Sequence, residues 1–379
     1  MFLLLCPLAS ALTLEAAVQR AAEVDPNAAV AQLEWRQDRL AATEAWAQLG
    51  VTPSLSFSQS FTGGAQSTSG KLSFDVGALD PPSWFDAAQQ ASQARGSGYT
   101  AEATALDAQY ATALLYYQAL AAEAALAASE EGERFAQATS EATTARVAAG
   151  LESELSGRTA KLGLLQAQAD TAQAKADVAI ARGRLSRALE QEVDSLEPAA
   201  PLPLPGDAVN SLWLAAADEA VHEAKWGHAE QIAAIFPSGS LSASSGLPSF
   251  NNWTLTLGVS WSFDGVIGPF LRAKDAALDV KIAEIERDAL RKDIDLGISV
   301  AREQAKAAEL VAEAAKARKE LADESLTVGQ TRLSVGLSSS LEVLRLQDEA
   351  AQARADLVAA ELSAAQAHLE ARRLAGMGW

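Results

Sequence analysis

Slid against itself by 186 residues, the chain repeats its own punctuation. Arg146-Val-Ala-Ala-Gly150-Leu-Glu-Ser-Glu-Leu155 falls on Arg332-Leu-Ser-Val-Gly336-Leu-Ser-Ser-Ser-Leu341. The match continues through Gln166, Ala167, Asp170 and Ala174 onto Gln352, Ala353, Asp356 and Ala360. A repeat of this length means that whatever one half folds into, the other half folds into as well. Between the halves lies Pro198-Ala-Ala-Pro-Leu-Pro-Leu-Pro205, which proline keeps extended and out of helix. The expected organisation is therefore residues 1–11 as a leader, 12–197 as the first repeat, 198–206 as a Pro-rich linker and 207–379 as the second repeat.

The helical parts announce themselves by period. Leu341, Leu344, Asp348, Ala351, Ala355, Val358, Leu362, Ala365 and Leu369 alternate steps of three and four, as do Leu155, Leu162, Leu165, Ala169, Ala172, Ala176 and Ala179 allowing for one polar position. Ile294, Ile298, Ala301, Ala305, Ala308, Ala312 and Ala315 do the same. A period of 3.5 marks helices that wrap left-handed around one another. Hydrophobic residues make up 49% of the chain but aromatics only 6%, so alanine fills the seams and the helices must pack closely. Each repeat predicts an opening helix (14–49 and 207–235) and a long helix (86–148 and 270–335). A glycine break at Gly150 or Gly336 follows, then a return helix to about 190 or 374. A helix of about 65 residues is roughly 100 Å long at 1.5 Å per residue, too long to bury in one compact domain.

Between each opening and long helix the period changes to two. Leu55, Phe57 and Phe61 alternate with serines; Leu72, Phe74 and Val76 alternate with Ser73 and Asp75. Trp253, Leu255, Leu257, Val259 and Trp261 alternate with Thr254, Thr256, Gly258 and Ser260, while the segment around Leu241 and Ala243 alternates weakly. Four strands are expected, near 53–63, 70–77, 239–245 and 253–264, each apolar on one face and small and polar on the other. That is the pattern of a strand with lipid on one side and water on the other. The apolar set, from Leu55 to Trp261, is the expected lipid-facing surface, with Trp253 placed for an interfacial aromatic girdle.

Beyond the first dozen positions no apolar run reaches 18 residues, so a membrane crossing has to use strands. In hydrocarbon every backbone N–H and C=O needs a partner, so the sheet must close on itself. The smallest membrane barrels have about eight strands. Four per chain are too few, and several copies must pool theirs.

Other chemistries find no support. A net charge of −19 argues against nucleic acid, which calls for clustered Lys and Arg. One cysteine, Cys6, excludes an internal disulfide or a cysteine metal site. His222 and His228 fall on different faces of a helix, His368 is remote, and all three read as solvated positions rather than metal or catalytic ligands. Gly63-Gly64 and Gly268-Pro269 read as turns, not phosphate loops. No catalytic set and no cofactor are expected. Met1 to Ala11 is a short apolar run ending in Ala9-Ser10-Ala11, a signal-peptide cleavage pattern.

With these elements in place, the sequence resembles the TolC family of outer-membrane efflux proteins. Leu12-Thr-Leu-Glu-Ala-Ala-Val18, with Asp25-Pro26, resembles that family's first-helix signature. Leu72-Ser-Phe-Asp75 and Trp261-Ser-Phe-Asp-Gly265 resemble its strand-to-helix junctions, and Gly336-Leu-Ser-Ser-Ser-Leu-Glu-Val-Leu344 with Gln347 resembles its turn into the return helix. The resemblance covers almost the whole chain, and the doubled helix–strand–strand–helix–helix order is its specific part. It implies a mainly helical fold with a small β part: a homotrimer whose coiled-coil helical barrel continues into a shared transmembrane β-barrel, four strands per chain. It also implies an outer-membrane location with a large periplasmic portion, and passive export of small molecules. The implied partners are a periplasmic adaptor and an inner-membrane pump. Gly150 and Gly336 would mark the periplasmic tips that meet the adaptor, and Glu342, Arg345, Glu152 and Glu154 are the candidates for the gate beside them. Where the family carries aspartates just after the turn, this chain has Glu342 and Arg345. The competing readings are a duct for type I protein secretion and, from another class, a periplasmic coiled-coil adaptor or scaffold.

Overall fold

The structure, a computed structural model, describes residues 11–62, 65–200, 202–204, 211–247, 252–260 and 267–379, with backbone only at 60–62, 65–68, 247 and 267. Residues 1–10 of the expected leader, Gly63-Gly64, residues 201 and 205–206 of the linker and the junction Trp261–Gly265 lie outside the described residues. The described order is α1 (Leu14–Val24), α2 (Pro26–Gln48), β1 (Val51–Thr62), β2 (Ala65–Val76), α3 (Pro81–Ala148) and α4 (Glu154–Leu189). It continues with α5 (Leu212–Ala233), β3 (Ser238–Leu247), β4 (Trp253–Ser260), α6 (Ile267–Ser334) and α7 (Ser340–Leu374). The chain is mainly helical with one small antiparallel sheet, as the periodicities require.

The differences from the sequence expectation have local causes. The first helix is two, because Pro26 disfavours helical geometry in the residue before it, and Asp25 sits at φ −61°, ψ 122°. Thr13 caps α1 by accepting the Ala16 N–H at 3.2 Å. The helix α3 starts at Pro81 rather than near Asp86, since a proline at the first helical position gives up a donor that no carbonyl would have met. For the same reason Gly268-Pro269 is not a turn: both residues belong to the first turn of α6.

The four strands form one antiparallel sheet in the order β1-β2-β3-β4. Strands β2 and β3, from opposite halves of the chain, pair from Gly70↔Leu247 to Val76↔Leu241. Among the described residues β1 pairs only with β2 and β4 only with β3, so both outer edges carry open rows of backbone donors and acceptors. A short 3-10 turn at Gly77–Leu79 leads from β2 into α3. A Cβ at Gly77 would collide with the Gln48 carbonyl oxygen, and the Gly77 N–H reaches the Gly50 carbonyl at 3.3 Å. Replacing Gly77 by alanine forces backbone apart, and we expect a loss of about 1–3 kcal/mol, read as a lowered midpoint of denaturant unfolding in detergent. An unchanged midpoint would show that the α2–β1 corner yields freely.

Two compact units are present. One draws on Met1–Pro26, Ala105–Asn210 and Ile294–Trp379, the other on Asn27–Thr104 and Ser211–Asp293. The first has a core of Leu14, Val18, Tyr110, Tyr116, Leu185, Leu189 and Leu369, filled in with alanines. Leu12 forms a parallel bridge with Leu196, and the hydroxyl of Tyr116, a fully buried side chain, lies 2.7 Å from the Leu12 carbonyl oxygen and 2.6 Å from that of Glu197. Burial pushes the hydroxyls of Tyr110, Tyr116 and Tyr117 above the usual phenol range. The Pro-rich segment has few N–H groups to form a ladder, so side chains take its carbonyls. Tyr117 donates to Ala200 at 2.8 Å, His368 Nδ1 to Leu202 at 2.6 Å and Arg372 to Pro203 at 3.4 Å. His368 is therefore not the solvated position expected from the sequence. It is buried, and its Nε2 lies 2.8 Å from the Glu309 carboxylate. The linker dictates this, and nothing in the spacing of histidines announces it.

Candidate functional site

Among the described residues, the sequence-predicted candidates lie in two places: the turns between long and return helices, and the faces of the sheet. Both turns are built alike. Gly150 (φ 71°) and Gly336 (φ 78°) sit in the left-handed region that glycine reaches without penalty. Leu151 N–H bonds Arg146 O at 2.9 Å and Gly150 N–H bonds Val147 O at 3.0 Å; Leu337 N–H bonds Arg332 O at 2.8 Å and Gly336 N–H bonds Leu333 O at 3.0 Å. This pair of bonds closes a helix end on a left-handed glycine. Ser153 and Ser339 then cap the return helices, accepting the N–H groups of Ser156 at 3.1 Å and Glu342 at 3.2 Å. Leu151, Leu155, Leu337 and Leu341 remain exposed around the turns.

The four charged candidates do not behave alike. Glu154 and Arg158 form an exposed i,i+4 pair at 3.7 Å, and Arg345 pairs with Glu349 at 3.1 Å, also in solvent. Such pairs contribute little. Glu342 accepts a hydrogen bond from its neighbour Ser338 at 2.7 Å. Glu152 is different: its side chain is 10% exposed and joins one turn to the other. It lies 3.2 Å from Arg146 Nε and accepts a hydrogen bond from the Ser340 hydroxyl. Arg146 in turn donates to the Leu333 carbonyl at 2.7 Å, which also accepts the Gly336 N–H at the end of α6. Deeper along the same pair of turns, Gln347 donates to Phe135 O at 2.9 Å and to Thr139 Oγ1 at 2.6 Å. The structure thus brings Glu152 into a latch and does not bring Glu154, Glu342 or Arg345 to it. Sequence reasoning missed Arg146 and Ser340. The repeat alignment held the signal for Arg146, which falls on Arg332 at the matching helix end.

On the sheet, Leu55, Phe57, Trp253, Leu255, Leu257 and Val259 are all exposed, between 53% and 76%. Leu72 and Phe74 are half-buried by their neighbours, with Phe74 6.0 Å from the Trp253 ring. Cross-strand partners share a face, so Pro53, Phe74, Ala243 and Leu255 form one apolar row. The side chain of Phe61, and Trp261 altogether, lie outside the described residues. The opposite face carries hydroxyls, which bond across strands: Ser54 to Ser73 at 2.6 Å, Ser58 to Ser69 at 2.8 Å and Ser238 to Ser260 at 2.8 Å. Among the described residues no helix is long and apolar enough to cross a membrane, and no group of three or more ligating side chains could hold a metal ion.

No family model matches the chain, and no curated protein matches its sequence. Solved structures do. CusC, crystallised in a study of folding and transmembrane channel formation, superposes with a TM-score of 0.83 at 16% identity, over 96% of this chain and 92% of its own. VceC, an outer membrane protein of Vibrio cholerae, gives 0.81 at 16% identity over 96% of each chain. The MtrE outer membrane channel of Neisseria gonorrhoeae, in its open state, gives 0.81 at 17% identity over 96% and 88%. The chain has the TolC-family fold. At these identities the likeness speaks for the fold, from the paired helix turns to the four-stranded sheet, and what that fold does here has to be argued from its residues.

Proposed function

We propose that this chain is one protomer of a homotrimeric outer-membrane exit duct. Three copies pool twelve strands into one barrel, the long and return helices enclose a periplasmic tunnel, and small molecules leave through it without any catalysed step. The observation that carries this reading is the sheet: four strands with an exposed apolar face, a hydroxyl face, and both edges unpaired among the described residues. In water such a sheet would aggregate; in lipid it must close, and only further copies supply the missing strands. The likeness to channel proteins over nearly the whole chain supports the same reading.

In this reading the turns at Gly150 and Gly336, with their exposed leucines, are the periplasmic tips that meet an adaptor. The adaptor joins the duct to an inner-membrane pump that supplies the energy. Glu152 is the gate residue, and Glu154, Glu342 and Arg345 form the charged rim around it. The apolar sheet residues face lipid. A soluble adaptor or scaffold would have no use for an apolar sheet face of this size.

The test is direct. Detergent-purified protein is reconstituted into planar bilayers, with mass measurement and cross-linking in parallel. We expect trimers and discrete conductance steps. A water-soluble monomer that never inserts would end the proposal.

A further inference from the structure

The strands carry almost no charge. Among the described strand residues only Lys71 and Asp75 are charged, both on β2 and both exposed. Register places them on the hydroxyl face: Lys71 stands opposite Ser56, and Asp75 stands between Thr52 and Ser242. The surrounding serines and threonines are neutral, and several are already bonded to one another. A charge on such a wall has no opposite charge on the neighbouring strands to cancel it.

We infer that Lys71 and Asp75 set the charge selectivity of the strand-built part of the duct. This rests on the duct reading, which puts the hydroxyl face toward water. The two residues are four apart, or about 13 Å along a strand at 3.3 Å per residue. That exceeds the Debye length of roughly 8–10 Å near physiological salt, so they act separately rather than as a pair. Asp75 lies beside the turn into α3, and Lys71 stands nearer the middle of the sheet. Symmetric copies turn each residue into a ring of like charge: an acidic ring at the helix end of the barrel and a basic ring further out. Between them the hydroxyl wall hydrogen-bonds polar solutes without regard to sign. The class of solute this wall admits most easily is small, polar and neutral or zwitterionic. Free anions gather at Lys71, and free cations at Asp75.

The experiment is single-channel recording of the full-length protein under a potassium chloride gradient at about 0.1 M, where the Debye length is about 10 Å. Lys71→Gln is expected to move the reversal potential toward cation preference and Asp75→Asn toward anion preference, each changing the permeability ratio about two-fold. Lys71→Glu should extend the first shift. Both effects should collapse near 1 M salt, where the Debye length is about 3 Å. Wild-type conductance steps with a reversal potential that neither substitution moves, or that both move the same way, would overturn this inference and leave the duct intact. Wild-type protein that gives no conductance at all would overturn the duct reading and this inference together.

Discussion

Replacing Asp323 by alanine is expected to destabilise the helical unit by about 3 kcal/mol, among the largest single-residue effects available in this chain. Arg354, on α7, is 5% exposed. Its Nε and Nη2 donate to Asp323 of α6 at 3.0 and 2.7 Å, its Nη2 lies 3.4 Å from Glu131 of α3, and its guanidinium sits 5.4 Å from the Phe135 ring centre. Three helices are therefore tied through one buried cation. An alanine-rich seam supplies little apolar area per residue, so a buried charge that loses its partner weighs heavily. Removing Asp323 strands the guanidinium, with only the half-exposed Glu131 left to it. Removing both ends of the pair is a different experiment. Asp323→Leu with Arg354→Met should recover most of the loss, because a buried ion pair is often no better than packed hydrocarbon. The measurement is a double-mutant cycle on the unfolding midpoint in detergent. Equal and additive losses in the two single variants, with no recovery in the double, would show that the pair is not coupled.

That network also shows where sequence reading stops. The elements were legible because their causes are local: period 3.5 for the helices, period two for the strands, glycine and serine at the turns. The 186-residue repeat placed Gly150 and Gly336 at equivalent ends, and the structure gives both the same left-handed closure. The split at Asp25 was also within reach, since Pro26 stood in plain view. What could not be read were contacts set by which helix lies beside which. Nothing in the spacing of Glu131, Asp323 and Arg354 says that three helices bring them together. The burial of His368 follows from where the Pro-rich segment runs. Of four acidic or basic residues near the turns, only Glu152 reaches across, because its position before the serine cap points it at the other turn, while Glu154 and Glu342 begin their own helices facing solvent. Residue type nominated the candidates, and tertiary geometry chose between them.

The consequence of that choice is the second large effect. Glu152 holds the two turns together through Arg146 and Ser340, and Arg146 adds a bond to the Leu333 carbonyl. In the proposed duct the bridged turns are taken as the closed tip. A hydrogen bond to a charged group is worth roughly 1.5–3 kcal/mol, so losing the latch, taken as about 2 kcal/mol, shifts a closed-to-open equilibrium some 30-fold. Glu152→Ala is therefore expected to raise open probability or unitary conductance well above wild type in bilayers, and to sensitise cells to large solutes that the closed tip excludes. Glu152→Gln keeps an acceptor for Ser340 but loses the charge facing Arg146, and should fall between the two. Ser340→Ala removes one bond only and should open less than Glu152→Ala. Glu154→Ala, which breaks an exposed pair, is the control and should leave conductance where it was. The ordering matters more than the size. A latch predicts Glu152→Ala above Glu152→Gln above wild type, whereas a plain ring of charge at the tip predicts that Glu154→Ala and Glu152→Ala act alike. If those two variants prove indistinguishable, the tip is tuned by its summed charge and not by the bridge between its turns.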